Sequence, residues 1–285
     1  MRILRRSVVL GGALAPLSAH AAPIPAPPRR IVSLFPCIDA ILLRVADPDQ
    51  IAGLSALSRE AEVSSVAGDE ARRYPAARDD AEGLLSLKPD LVAVSRYTAP
   101  TTLRALRRAG VRLLIVEPQR SVAESLSQVH EVARAAGHPE RGEVLAARIA
   151  AALEHARPET PDHRPGALVF QNGGFVAGTG SLIDDMLNRT GFTNRAAAYG
   201  VKDFGEVSLE RIVRDPPQVL LAAEPKAGAP GFGERVLRHP ALLALKDRMR
   251  IEAFPQSLLL CGGPVLLQTA PKLAAIRRRA LGEPA

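Results

Sequence analysis

Apolar and polar positions alternate along this chain in short blocks, each long enough for one strand or one helix. Arg30-Ile-Val-Ser-Leu34 is an apolar run that predicts a strand. A helix from about Ile38 to Val45 and a second strand over 50–55 follow. Residues 58–78 are polar, alanine-rich and irregular. The alternation resumes with a strand at Leu91 to Val94, a helix from Thr101 to Ala109 closed by Gly110, and a strand from Val111 to Val116. Ser121 to Ala136 is an amphipathic helix ending at Gly137. Pro139 then opens a long helix to about Arg157, with Val144, Leu145, Ile149, Ala152 and Leu153 on its apolar face. At 1.5 Å per residue it reaches roughly 27 Å. The second half repeats the order. A strand at Ala167 to Phe170, a Gly173-Gly174 loop and a helix from Leu182 to Arg189 come first, the helix capped by Ser181 with Asp184 three residues on. A loop over 223–233, a further helix, a strand from Arg250 to Phe254, a loop carrying Cys261-Gly-Gly-Pro264 and a basic final helix complete the chain. Strand, helix and strand in succession imply an α/β protein with parallel sheets covered by helices.

One cassette occurs in both halves with the same Glu-to-Pro spacing. The first copy runs from Glu82 through Pro89 to Val94, the second from Glu210 through Pro217 to Ala222, 128 residues later (210 against 82). Each is a short helix opened by a glutamate, stopped by proline and followed by an apolar strand. Repetition at that offset implies two similar lobes with the glutamates at equivalent places. The organisation expected is a leader over 1–21, a proline-rich segment over 22–29, an N-terminal lobe over 30–138, a connecting helix over 139–157 and a C-terminal lobe over 158–285.

Composition changes this picture at the amino terminus. Arg2, Arg5 and Arg6 precede the apolar run Val8 to Leu17, and Ala19-His20-Ala21 offers small residues for cleavage, the pattern of a secretory signal peptide. The run is about half of the roughly 20 residues that span a bilayer. Arg5-Arg6 resembles a twin-arginine export signal. No cysteine precedes Cys37, so the leader offers none for lipid attachment, and a periplasmic location is expected. The formal charge of +7 falls to +4 once the three leader arginines are removed, which gives no reason to expect nucleic acid as a partner. Only Cys37 and Cys261 remain, in a compartment that permits disulfides; they are either small buried residues, a structural bridge or functional thiols.

Enzyme signatures are missing. The histidines form no H-x-H or HExxH pair, no nucleophile elbow appears, and Gly178-Thr-Gly180 lacks dinucleotide and P-loop spacing, so it reads as a helix cap. No intrinsic cofactor or bare metal site is expected. Each cassette glutamate alone is explained as a helix starter favoured by the helix dipole. As a matched pair on two lobes they become candidate docking charges. The chain has no tryptophan and few aromatics. Phe35, in the strand-ending Phe35-Pro36-Cys37, together with Tyr97 and Phe175, lies near carboxyl ends of predicted strands, while Tyr74, Tyr199 and Phe204 lie in loops ahead of the cassettes. The carboxyl ends of strands line the crevice of open α/β sheets, and Arg72, Arg73, Arg96 and Lys202 accompany the aromatics. That set suits a bulky ligand with apolar faces and anionic groups. The plain alternative is aromatics packed in the lobe cores beside solvated surface cations.

The opening strand, the two E-x6-P cassettes and Gly178-Thr-Gly-Ser-Leu-Ile-Asp-Asp-Met-Leu187 resemble the periplasmic binding proteins of ABC importers for iron-siderophores, haem and cobalamin. The resemblance covers nearly the whole mature chain. It implies two Rossmann-like lobes joined by one long rigid helix, a ligand in the cleft between them, and a surface glutamate on each lobe, Glu82 and Glu210, that meets the membrane permease. The function implied is capture of a metal chelate by a monomeric, non-enzymatic protein; the alternative is a periplasmic enzyme or cofactor-processing protein on the same fold. The chain departs from the family at Cys37-Ile-Asp39, where a Thr-Glu pair is common, and in lacking the tryptophans that often hold ligand. Cys37 and Cys261 fall in predicted cleft-edge loops on opposite lobes, which allows a cleft-spanning disulfide or a thiolate contact to a bound metal complex.

Overall fold

Two sheets, each built around a fully buried strand, divide the chain between them. The computed structural model describes residues 26–159, 163–171, 174–222 and 239–283. The leader over 1–21 and the loop expected over 223–233 lie outside the described residues, as does any part of the following helix before residue 239.

In the first lobe β1 (Ile31–Ser33), β2 (Ile51–Ser55), β3 (Ala76–Ala77), β4 (Leu91–Ser95) and β5 (Arg112–Val116) form a parallel sheet in the order β3-β2-β1-β4-β5. Ile31, Val32 and Ser33 of the central strand are inaccessible to solvent, and Leu91, Val92 and Ala93 pair with them in register. Helix α1 (Pro36–Val45) starts two residues earlier than the apolar pattern suggests. Proline at its first position lacks only a hydrogen that would have no partner. The stretch over 58–78, expected to be irregular, contains α2 (Gly68–Ala71) and the two-residue β3, which pairs with Leu54 and Ser55 at the sheet edge. Helices α3 (Ala81–Ser86), α4 (Pro100–Arg108) and α5 (Val122–Ala136) complete the lobe.

The second lobe holds β6 (Gly166–Phe170), β7 (Phe175–Ala177), β8 (Thr193–Asn194), β9 (Phe204–Glu206), β10 (Val219–Ala222) and β11 (Arg250–Ala253). Strands β11, β10 and β6 are parallel, with β8 parallel to the start of β6; β7 and β9 then extend the sheet antiparallel, in the order β11-β10-β6-β7-β9. The parallel body therefore carries an antiparallel edge, because β7 turns straight back on β6 through Gly174, whose φ is +85°. Helices α7 (Leu182–Arg189), α8 (Leu209–Arg214) and α9 (Pro240–Leu243) belong to this lobe.

The long helix α6 (Pro139–His155) connects the lobes and packs on α5 and on the final helix α10 (Leu266–Leu281). Its approach to α5 depends on Gly142, where a Cβ would come within 2.5 Å of the Ala133 methyl. A single buried cluster runs from Ile31, Ile38 and Ile41 through Val129 and Ile149 to Met186, Leu187, Leu266 and Leu273, so the two lobes share a core. After β11 the chain does not stay with the second lobe. Residues 254–265 return to the first as a strap, where the Gly263 amide donates to Ser125 Oγ at 2.6 Å and Cys261 is bonded to Cys37.

Candidate functional site

Between the lobes lies a cavity of about 620 Å³. The first lobe supplies Phe35 after β1, Arg96 and Tyr97 after β4, and Glu117 to Arg120 after β5. These are carboxyl ends of parallel strands, where successive loops diverge and leave a crevice. Across it the second lobe presents Gly180 to Ile183, Asp203 and Phe204, and the strap adds Leu259 and Leu260.

Local hydrogen bonds fix the exposed groups. The Tyr97 amide donates to Ser95 Oγ at 3.1 Å, which turns the chain outward at the end of β4 and leaves Tyr97 76% exposed. Arg96 donates to Glu117 at 2.9 Å and holds its guanidinium 5.6 Å from the centre of the Tyr97 ring. Phe204 stacks on Phe175, with ring centres 5.5 Å apart and an interplanar angle of 11°. The cleft thus has an exposed phenol on one wall and an aromatic shelf on the other. Its charged lining is closely balanced: Arg96 and Arg120 face Glu117, Glu124 and Asp203.

Below the cleft, Asp39 of α1 is fully buried. Its Oδ2 accepts from the Ser55 amide at 2.8 Å and the Ser58 hydroxyl at 2.6 Å, while Oδ1 has no partner. Burial outweighs these bonds and the nearby Ser33 hydroxyl, raising the carboxyl from 3.8 to about 7.

The structure gathers Phe35, Cys37, Arg96, Tyr97 and Phe204 at the cavity and disperses the other residues singled out in the sequence. Tyr199 belongs to the core of the second lobe. Its hydroxyl donates to the Asp215 carbonyl, Arg211 lies over its ring, and burial pushes its phenol above the usual pKa, so it ionises less readily. Tyr74 packs against the core of the first lobe. Pro36 is buried as the first residue of α1, and Lys202 is exposed beside Asp203 but outside the lining. Phe175 reaches the cleft only through Phe204. Both sulfurs are consumed in the disulfide, so the thiolate contact to a metal complex is not available, and Cys37 is helical rather than in a loop. Glu117, Gln119, Arg120, Asp203, Leu259 and Leu260 carry no motif; the position of 117–120 just beyond an apolar strand is the signal that could have marked the first three.

Glu82 and Glu210 are both exposed and occupy the second position of their six-residue helices. Asp80 caps α3 by accepting from the Gly83 amide at 2.6 Å. Ser208, at the N-cap of α8, accepts no backbone hydrogen; its hydroxyl bonds the Glu210 carboxylate and, with that residue's own amide, holds the group below the usual range. Among the described residues no group of three or more His, Cys, Asp and Glu is placed to hold a bare metal ion, and no helix is long and apolar enough to cross a membrane.

The sequence profile of the family described as periplasmic binding protein matches residues 31–251. Among solved structures, the periplasmic haem-binding protein RhuT from Roseiflexus sp. RS-1 is similar, with 27% identity, a TM-score of 0.70 and coverage of 88% of this chain and 98% of that one. The haem-binding protein HutB of Vibrio cholerae shares the fold, with 22% identity, a TM-score of 0.70 and coverage of 87% and 98%. The cobalamin-binding protein of Halobacterium salinarum is 24% identical over 198 residues, 68% of this chain, and the match spans about half, 53%, of that relative's length.

Proposed function

Because the chain belongs to the periplasmic binding proteins, we propose that it is the solute-binding component of an ABC importer, taking a metal tetrapyrrole, haem or a corrinoid, into its interlobe cleft. In this reading it works in the periplasm as a monomer without turnover, and Glu82 and Glu210 meet the membrane permease. The observation that carries the ligand class is Tyr97, a phenol held out in a cleft whose opposite wall is Phe204. A tyrosine oxygen is a donor that haem iron accepts. Flat aromatic side chains suit the faces of a macrocycle, and a volume of about 620 Å³ lies within the ordinary range for small-molecule sites. The likeness to RhuT and to the halobacterial cobalamin-binding protein supports the same class.

The test is to incubate the purified protein separately with haemin, dicyanocobinamide and a ferric hydroxamate siderophore, desalt, and record visible absorption. A tetrapyrrole band should travel with the protein at one ligand per chain, and the siderophore should be lost. Retention of the siderophore alone, or of none of the three, overturns the reading. An altered chromophore or released metal in the same samples would indicate chemistry rather than capture.

A further inference from the structure

One ion pair in the cleft crosses from lobe to lobe. Arg120, in the loop before α5, donates its Nη2 to the Asp203 carboxylate in the loop before β9, and both residues line the cavity. The other cleft arginine, Arg96, is paired with Glu117 of its own lobe.

Both ends of the cross-lobe pair are held by their backbones. The Arg120 amide donates to Glu124 Oε2 at 2.6 Å, and the Glu124 amide donates to Ser121 Oγ at 3.1 Å, a reciprocal cap at the start of α5. Asp203 donates its amide to the Thr179 carbonyl at 2.9 Å and accepts from the Gly178 amide at 2.7 Å. Its φ of +53° is in the left-handed region that non-glycine residues rarely adopt. Glycine at 178 permits this approach, since a Cβ there would lie 2.7 Å from the Val201 carbonyl oxygen. Gly180 leaves the pair room above the loop: a Cβ there would already touch Arg120 Nη2 at 3.4 Å. The two side chains remain more than half exposed, at 59% and 55%, so the contact is accessible to solvent and to anything that enters the cavity.

We infer that Arg120 is the receptor for an anionic edge of the ligand and that Asp203 is its built-in competitor, occupying the guanidinium in the empty cleft and giving way on loading. This rests on the tetrapyrrole reading above. A carboxylate on the ligand replaces one already in contact with the arginine, so little Coulombic energy is gained and Asp203 is left unpaired. Asp203 therefore lowers affinity selectively for ligands with carboxylate edges and spares those rimmed by amides. It acts on specificity, and it keeps a dicarboxylate ligand releasable.

The experiment compares haemin, which carries two carboxylates, with dicyanocobinamide, which is rimmed by amides, on wild type, Asp203→Asn, Arg120→Gln and the double variant. Asp203→Asn should tighten haemin by about fivefold, the scale of one exposed ion pair, and leave the cobinamide within about twofold. Arg120→Gln should weaken haemin and abolish the gain in the double variant. Thermal melts establish that each variant is folded. Haemin binding that is unchanged or weaker in Asp203→Asn overturns the inference, as does parallel weakening of both ligands, which would make the pair a structural latch. If wild type binds only the cobinamide, haemin binding gained in Asp203→Asn supports the inference and its continued absence overturns it. Failure of wild type to bind either macrocycle overturns the tetrapyrrole reading itself.

Discussion

Cys37 and Cys261 are bonded to each other across 224 residues, tying the first turn of α1 to the strap that returns from the second lobe. Cys37 lines the cleft, and the residues just before Cys261, Leu259 and Leu260, form part of its wall. The bond therefore fixes one side of the ligand site as well as the interlobe geometry. Replacing both cysteines by serine, or reducing the protein, should lower stability by about 2–5 kcal/mol. Urea titration with and without reductant reads this directly; coincident curves would show that the staple contributes nothing.

Asp39 makes stability depend on pH. Its carboxyl ionises at about 7 in the folded chain and returns to its ordinary value near 3.8 on unfolding, so the native state binds the proton more tightly. The stability gained is complete below about pH 4 and is lost as the pH rises through about 7. Asp39→Asn keeps an acceptor for Ser55 and Ser58 without a charge. Melting temperatures should fall between pH 4 and 7 in wild type by more than in Asp39→Asn; parallel profiles would place the pH dependence elsewhere.

Tyr97→Phe removes a single oxygen from the cleft and leaves the ring. If that oxygen meets the metal, the haemin spectrum should change and affinity should fall by about tenfold or more. Phe204→Ala should weaken haem and corrinoid alike, since it removes a stacking surface and no donor. An unaltered haemin spectrum in Tyr97→Phe excludes the phenol as a ligand.

Glu82→Lys combined with Glu210→Lys should abolish uptake in cells while ligand binding by the purified protein is retained. Each glutamate is exposed, so the folded state should tolerate the change. Undiminished transport would remove these residues from the docking surface.

The two lobes, the long helix and the paired glutamates were legible in the sequence because each rests on local regularity: apolar periodicity, proline stops and glycine caps. The cleft was legible only in part. Phe35 and Tyr97 follow from the rule that strand ends face the crevice. Phe204 is marked only by the loop ahead of the second cassette, and Tyr199, in that same loop, is turned into the core by Asp215 and Arg211. Arg120 and Asp203 stand 83 residues apart in unremarked loops and meet only because α5 and β9 are brought together across the lobes. The antiparallel edge escaped for a related reason: β7 and β9 have three residues each, too few to show alternation.

The strap also constrains the order in which the molecule can be made. Gly263 lies against Ile41, and Val265, Leu266 and Leu273 share a core with Ile31 and Ile38. During synthesis the first lobe emerges with part of its interior still to be translated, so its apolar surface stays open until some of the last residues arrive. Neither half of this chain is a finished folding unit, and cutting the gene at the apparent lobe boundary would yield two incomplete proteins rather than two domains.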